Sequence, residues 1–384
     1  MKRSEKRILT THVGSIPRPP KLREVAPKAG EQPADKKRYE EVLRESVAEV
    51  VKLQAKAGVD IVNDGEFGKS SWANYILERT TGFEHRESDM RPVRWLGRDL
   101  ERFPDVMKTE FAFMKNNAMP TEVCVGPIKY ADRSSMDRDI RNLKDALKSV
   151  QVEEAFLPVV APASAVFNGD NQFYATEKEY VYAVAEALRE EYRAIYEAGL
   201  IVQADDAVLA NMYDYYVQQS PEKYRQWAGL RIEALNHALQ GIPEDRVRYH
   251  VCFGSWHVPH VADAPLEEIL GFILSVRAGA YLIEAANPRH EHEWRVWEKT
   301  KLPAGKILIP GVITHHTITV EHPRLIADRI VRFAKLVGRE NLIAGSDCGF
   351  AQAQYIERAA TSVMWAKFES LAEGARIASA ELWP

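Results

Sequence analysis

An imidazole and a thiol two positions apart, His250 and Cys252, close one apolar run, Glu284 closes another, and a second thiol, Cys348, stands in Gly345-Ser346-Asp347-Cys348-Gly349. Side chains alternate faces along a strand, so His250 and Cys252 point the same way and can reach one ion. One nitrogen and two sulfurs suit zinc(II), and three firm protein ligands leave a coordination position open for a substrate. A metal that already carries thiolates suggests a reaction of sulfur. The bland alternative is a buried His beside a core Cys. Against it, the chain has only three cysteines and two of them fall in these positions. Cys124, in the middle of an apolar run without a neighbouring His, reads as a core residue.

Other groups gather at the ends of similar runs. His315 and His316 follow Ile309-Pro310-Gly311-Val312-Ile313-Thr314, and an imidazole, with an ordinary pKa of ~6.5, is suited to proton transfer there. A contact with a helix N-terminus is the structural alternative, and the sequence leaves open which imidazole faces inward. Glu66 and Asp205 are either helix caps and solvated strand ends or carboxylates that orient a cationic amine or a catalytic His. His257, His260, His290 and His292 read as groups that orient or line such a site.

Residues so far apart need a scaffold that brings strand ends together. Short Val- and Ile-rich runs at 8–13, 59–63, 122–130, 164–168, 200–205, 247–252, 280–285, 306–312 and 341–346 alternate with helical patterns at 36–57, 178–198, 220–240, 265–278 and 322–337. Such alternation is the signature of βα units around a parallel sheet. The expected fold is α/β, a (β/α)8 TIM barrel occupying residues 1–384 as one domain, whose C-terminal strand ends form the active face. Nine runs are one more than the barrel needs, so 122–130 or 164–168 is an outlier or the two form one irregular unit. The stretches 83–121 and 131–160 read as insertions, lids or added helices.

At 384 residues, 46% hydrophobic and 28% charged, the chain can bury a large core. A net charge of −4, with both signs interspersed, offers no footprint for nucleic acid or a membrane surface, leaving a small-molecule substrate. No apolar stretch is long enough for a signal core or a membrane span. Together with the scarce cysteines this suggests the cytoplasm. A homodimer is compatible with the many aromatics.

The chain resembles the C-terminal catalytic barrel of the cobalamin-independent methionine synthases. The resemblance rests on Thr10-Thr11-His12-Val13-Gly14-Ser15-Ile16-Pro17, on Gly58-Val59-Asp60-Ile61-Val62-Asn63-Asp64-Gly65-Glu66, on Val202-Gln203-Ala204-Asp205, and on the His-x-Cys and Asp-Cys-Gly motifs. It implies a barrel of the uroporphyrinogen decarboxylase/methionine synthase kind, zinc held by His250, Cys252, Glu284 and Cys348, an amino-acid substrate bound by Ser15, Glu66 and Asp205, and a general acid at His315 or His316. Within that superfamily, His250 to Gly254, Glu284 to Trp294 and Val320-Glu321-His322-Pro323 are similar to the single-barrel epoxyalkane:coenzyme M transferase branch. Alignment on the methionine synthases makes His316 the acid; alignment on the epoxide branch makes it His315. Two departures stand out: Thr314 replaces an Asp, and Asp206-Ala207 replaces an acidic-Pro pair.

Both chemistries share one step, in which a zinc-bound thiolate attacks an electrophilic carbon, either the methyl group of 5-methyltetrahydrofolate with homocysteine as the thiol, or an epoxide with coenzyme M as the thiol. Glu66 and Asp205 favour an amino-acid thiol; a sulfonate thiol needs cations such as Arg18, Lys129 or Arg289. A zinc hydrolase carrying a metal-bound hydroxide is a competing class, disfavoured because donated thiolate charge makes the metal a poorer acid for water. A non-catalytic zinc protein is another, disfavoured by ligands scattered over several strand ends.

Overall fold

Eight short strands, buried on both faces, build the centre of the molecule, as expected for a parallel sheet wrapped in helices. They are β1 (Leu9–Thr10), β2 (Ile61–Val62), β3 (Glu154–Val160), β4 (Ile201–Asp206), β5 (Val247–Val251), β6 (Ala280–Ile283), β7 (Ile307–Ile313) and β8 (Ile343–Ser346). In this computed structural model, which describes residues 1–27, 31–112, 118–167 and 169–384, every neighbouring pair is parallel, in the order β1-β8-β7-β6-β5-β4-β3-β2. A parallel bridge between Thr11 and Ile61 joins the two ends into a barrel.

Each strand is followed by a helix: α1 (Lys36–Lys56), α2 (Ser134–Leu147), α3 (Glu177–Glu197), α4 (Pro221–Ala238), α5 (Leu266–Ser275), α6 (Val296–Lys299), α7 (Pro323–Val337) and α8 (Thr361–Leu382). The period-2 alternation sorts the core. Leu9, Ile61, Phe156, Ile201, Leu282, Ile309 and Ile343 pack together as one cluster. Their neighbours Val62, Leu157, Val202, Leu308 and Leu342 join the larger cluster shared with the helices. Local signals start and stop the helices: Asp35 caps α1, Thr176 and Glu179 form a capping box on α3, and Ser220 followed by Pro221 opens α4. Gly338, at φ 89°, ends α7 in a conformation that favours glycine.

Three expectations are corrected. The run 122–130 is not a barrel strand: Ala118–Cys124 pairs with Phe83–Pro92 and Gly169–Asn171 in a separate three-stranded sheet. The run 164–168 is not a strand either, since Pro162–Ala165 is a short helix and residue 168 lies outside the described residues. The stretch 131–160 is not an excursion, because it contains α2 and the third barrel strand. Pro158 disguised that strand, having no N–H for a ladder. It nevertheless pairs in register with Gln203, and its carbonyl accepts a hydrogen bond from Lys69 Nζ.

The 83–121 stretch does leave the barrel, although its residues 113–117 are outside those described. Its short helices Asp99–Arg102 and Pro104–Glu110 are tied down beside the β5 loop. Arg98 pairs with Asp214 at 2.6 Å, Asp99 accepts a hydrogen bond from Val261 N, and Glu110 accepts from His257 N and Arg358. Trp95 stacks on Trp256 with ring centroids 5.4 Å apart. Among the described residues no helix is long and apolar enough to cross a membrane.

Candidate active site

The sulfurs meet where β5 and β8 end. Cys252 N donates to Asp206 O, which prolongs the β4–β5 pairing by one residue and keeps Cys252 on the same side as His250. The chain then turns at Gly254, at φ 98°, whose N–H donates to Cys252 Sγ at 3.2 Å. Cys348 follows β8, and its Sγ lies 3.4 Å from that of Cys252. The Ser255 hydroxyl donates to Cys348 Sγ at 3.0 Å. The hydrogen bond from Cys348, against the cost of burial and with help from His250, lowers the Cys252 thiol to about 6, while the same bond and burial push Cys348 well above its ordinary value.

His250 Nδ1 is 2.9 Å from Asp205 Oδ1 and donates to it. This fixes the tautomer that leaves a lone pair on Nε2. Nε2 is buried and has no partner among the described residues. Burial lowers the imidazole's basicity, but the hydrogen bond and charge of Asp205 outweigh it and leave His250 raised.

Glu284, just past β6, is 2% exposed. Its Oε1 accepts from Phe253 N at 3.0 Å and its Oε2 from Asn287 Nδ2 at 2.8 Å. Burial, followed by the charge at Cys252, raises its pKa well above the usual carboxylate range. Asp347 holds this corner together: its Oδ1 accepts from Ala285 N and Ala286 N. Gly311 makes room for that carboxylate, since a Cβ there would sit 2.1 Å from Asp347 Oδ1.

His315 and His316 lie on the loop after β7, with ring centroids 4.0 Å apart. A buried ion pair sets the loop's shape: Lys367 of α8 donates to Glu321 Oε2 at 2.8 Å, and Glu321 Oε1 accepts from Thr314 N at 2.7 Å. His316 Nε2 is 3.8 Å from Glu284 Oε2, and its ring meets the His260 ring edge-on at 4.9 Å. His315 is fully buried and neither of its ring nitrogens has a partner among the described residues. Burial lowers both, His315 strongly and His316 to about 3, with neighbouring imidazoles adding to the effect. Both are therefore neutral until negative charge develops beside them.

Oxygen groups complete the lining. Ser15 Oγ is buried and unpartnered among the described residues. The Ser15 backbone packs against Gly349, where a Cβ would meet Ser15 Cβ at 3.0 Å, so the residue after Cys348 has to be small. Glu66 sits at φ 60°, unusual for a non-glycine residue and held by its surroundings. Its N–H donates to Asp64 Oδ1, and its carbonyl accepts from Arg18. Burial raises its carboxyl to about 7; Lys69 opposes this, while Asp205 and Asp64 add to it. Asp205 Oδ1 is engaged by Gln203 and His250.

Ser15, Glu66, Asp205, His250, Cys252 and Cys348 all line one cavity of about 240 Å³. Glu284, His315 and His316 lie outside that lining. No Lys or Arg is among the lining residues. Lys129 is exposed on the turn after the accessory sheet, where its carbonyl accepts from Thr81 N. It is not among the residues that line the cavity. Arg289 is exposed and donates to Val261 O, and Arg18 is buried behind Glu66. Neither faces the cavity.

Ser255 and the aromatic wall of Trp72, Trp95, Phe167 and Trp256 are site features the motifs did not announce. For Ser255 a readable signal existed, a hydroxyl placed one turn beyond Cys252 by an intervening glycine. The wall comes partly from the inserted segment, whose course has no periodic signature. Among the described residues no three His, Cys, Asp or Glu groups already converge as a metal cage. The donor chemistry nonetheless suits a soft-to-borderline divalent ion: two adjacent sulfurs, one thiolate in character, and a buried imidazole nitrogen with no partner.

A parallel eight-stranded barrel with an imidazole, two thiols and carboxylates around its C-terminal mouth defines a (β/α)8 protein with a sulfur-bearing site where such barrels carry their chemistry. The chain belongs to the family described as cobalamin-independent synthase, catalytic domain, whose profile matches residues 8–367. It is 25% identical over 389 residues to a protein of Saccharolobus islandicus named methionine synthase, covering 97% of this chain and 95% of that one. It is 23% identical to the 5-methyltetrahydropteroyltriglutamate–homocysteine methyltransferase of Thermotoga maritima, covering 88% of this chain but only 41% of the relative. In fold it is similar to a B12-independent methionine synthase from Shewanella sp. W3-18-1 solved with selenomethionine, with a TM-score of 0.74, 19% identity and coverage of 98% and 99% of the two chains.

Proposed function

We propose that this protein is a zinc-dependent methyltransferase that moves a methyl group from a methyltetrahydropteroylglutamate to homocysteine. The observation that carries the reading is the double lining of one cavity: two sulfurs and an imidazole nitrogen without a partner among the described residues, and beside them Ser15, Glu66 and Asp205. Two carboxylates and a hydroxyl, with no cation among the lining residues, suit the ammonium end of an amino-acid thiol. They would repel a sulfonate, which weighs against coenzyme M as the thiol.

Zinc held by His250, Cys252 and Cys348, with Glu284 close by, would supply the positive charge that keeps a substrate sulfur deprotonated near neutral pH. The chain's own residues do the rest. Glu66 and Asp205 grip the ammonium and thereby aim the thiol at Cys252 and Cys348. Asp205 also holds His250 in the tautomer that presents Nε2. Trp72, Trp95, Phe167 and Trp256 exclude water and give a flat donor an apolar face. The substrate sulfur forms a bond to the methyl carbon as the carbon–nitrogen bond of the donor breaks. The electron pair stays on that nitrogen, which takes a proton. We assign the delivery of that proton to His316, which is neutral at rest and would take up the proton that the substrate thiol gives up and pass it to the donor nitrogen; its Nε2 lies beside Glu284 and, unlike His315, its side chain is partly exposed, at 16%.

The test is methionine formation from homocysteine and methyltetrahydropteroyl mono- and triglutamates by the zinc-replete chain, before and after chelation. Turnover that disappears on chelation and returns with zinc supports the reading. A zinc-replete protein that forms no methionine with either donor, or one whose turnover ignores chelation, overturns it.

A further inference from the structure

A second cavity, of about 450 Å³, lies between α1, the first turn of α2 and the turn at 66–70, and shares no lining residue with the catalytic cavity. Its charges are layered. The acidic residues Glu31, Glu40, Glu78, Asp132 and Asp137 stand exposed at the rim together with Lys36 and Arg141, whereas Arg18, Lys69 and Arg79 are buried at the inner end.

The buried cations are not equally satisfied. Arg79 pairs with Asp139 and Glu191, both at 2.7 Å, and Arg138 pairs with Asp139 at 2.8 Å. Arg18 is 2% exposed, its Nη2 donates to the carbonyls of Glu66 and Lys69, and its Nη1 has no partner among the described residues. No carboxylate among the described residues forms an ion pair with it. Burial pushes its guanidinium below its ordinary value. On the same wall the Ser70 hydroxyl is also buried and unpartnered. Ser134 and Ser135 of the first turn of α2 also line the cavity, and there the Asp132 carboxylate already accepts from Ser134 N at 2.9 Å and from its hydroxyl. A buried charge without a counter-charge is costly. An oxyanion beside the Arg18 guanidinium recovers that cost.

We propose that this outer cavity is a binding site for the oxyanion end of a small molecule, a carboxylate or phosphate, held by Arg18 and the Ser70 hydroxyl. The rim, with more carboxylates than cations, favours a ligand whose outer end is neutral or cationic. Arg18 holds the carbonyls of the same turn that carries Glu66, so the ligand would stiffen the wall that grips the amino group in the catalytic cavity.

The test is calorimetric titration of the full chain with inorganic phosphate and, separately, glutarate, with chloride adjusted to keep ionic strength constant. Wild type should bind one anion saturably. Ser135→Glu adds a charge that is welcome in a helix's first turn but faces the cavity. It should weaken binding at least about tenfold while leaving the melting temperature near wild type. Arg18→Met should abolish binding; if it fails to fold, Ser135→Glu carries the test alone. Tighter binding of glutarate assigns a carboxylate-bearing ligand and tighter binding of phosphate a phosphate-bearing one, and both uphold the site. No saturable heat in wild type with either anion, or unchanged affinity in Ser135→Glu, overturns it.

Discussion

The catalytic cavity has a recognition wall and a chemical wall, which adjoin where Asp205 meets His250, and they are built differently. On the recognition wall the carboxylates are braced: Asp205 by Gln203 and His250, Glu66 by an unusual backbone turn that Asp64 and Arg18 hold; only the Ser15 hydroxyl is left without a partner among the described residues. On the chemical wall two thiols face each other, and His250 Nε2 and both nitrogens of nearby His315 have no partner among the described residues. Buried polar atoms without partners are expensive, so a wall that collects them is incomplete on its own. The difference teaches which half recognises and which half acts: the first has its carboxylates set by the chain, the second is completed by what binds to it.

The comparison is best broken at the sulfurs. Cys252→Ala or Cys348→Ala removes a donor and should cost about 10³-fold or more in kcat together with the bound zinc, read by turnover and metal analysis. Either variant keeping both would show that the thiols are core residues. Next in size is the proton. His316→Asn should lower kcat about 10²-fold without releasing zinc, and His315→Asn should do less; the reverse order would exchange their roles. On the recognition wall, Glu66→Gln should raise KM for homocysteine about 10- to 100-fold with a smaller change in kcat, the mark of lost ground-state binding. A fall in kcat alone would move Glu66 to the chemical wall.

The smallest effect concerns a support behind the chemical wall. His290 donates to Asp263 at 2.9 Å and to Glu293 at 2.8 Å. Burial lowers it, but those two hydrogen bonds outweigh burial and raise it to about 9. A group raised in the folded state stabilises fully below its unfolded value near 6.5 and loses that contribution as pH rises through about 9. Urea unfolding should therefore show a loss of order 2 kcal/mol between pH 6.5 and 9 that His290→Gln flattens. An equal slope in both proteins would remove the charge from His290.

Much of this is legible in the sequence. The barrel, the alternation of strands and helices, and the gathering of His250, Cys252, Glu284 and Cys348 at one end follow from buried apolar runs with polar ends. Strand β3 escaped because Pro158 breaks the pattern of a ladder, although a barrel strand can spare one N–H. The run at 122–130 misled for the opposite reason: Val123-Cys124-Val125 is apolar enough for a barrel but serves the accessory sheet. Lys129, on that run, does not line the cavity. Partner-less nitrogens, the Ser255 contact with Cys348 and the wall of Trp95 and Trp256 depend on where loops fold back. No periodicity encodes that.

The most direct measurement is X-ray absorption at the zinc edge of the purified chain, alone, with L-homocysteine and with coenzyme M. The account predicts zinc with two sulfur neighbours at about 2.3 Å, a third appearing with homocysteine and not with coenzyme M. A protein without zinc, or a zinc shell that homocysteine leaves unchanged, would contradict it.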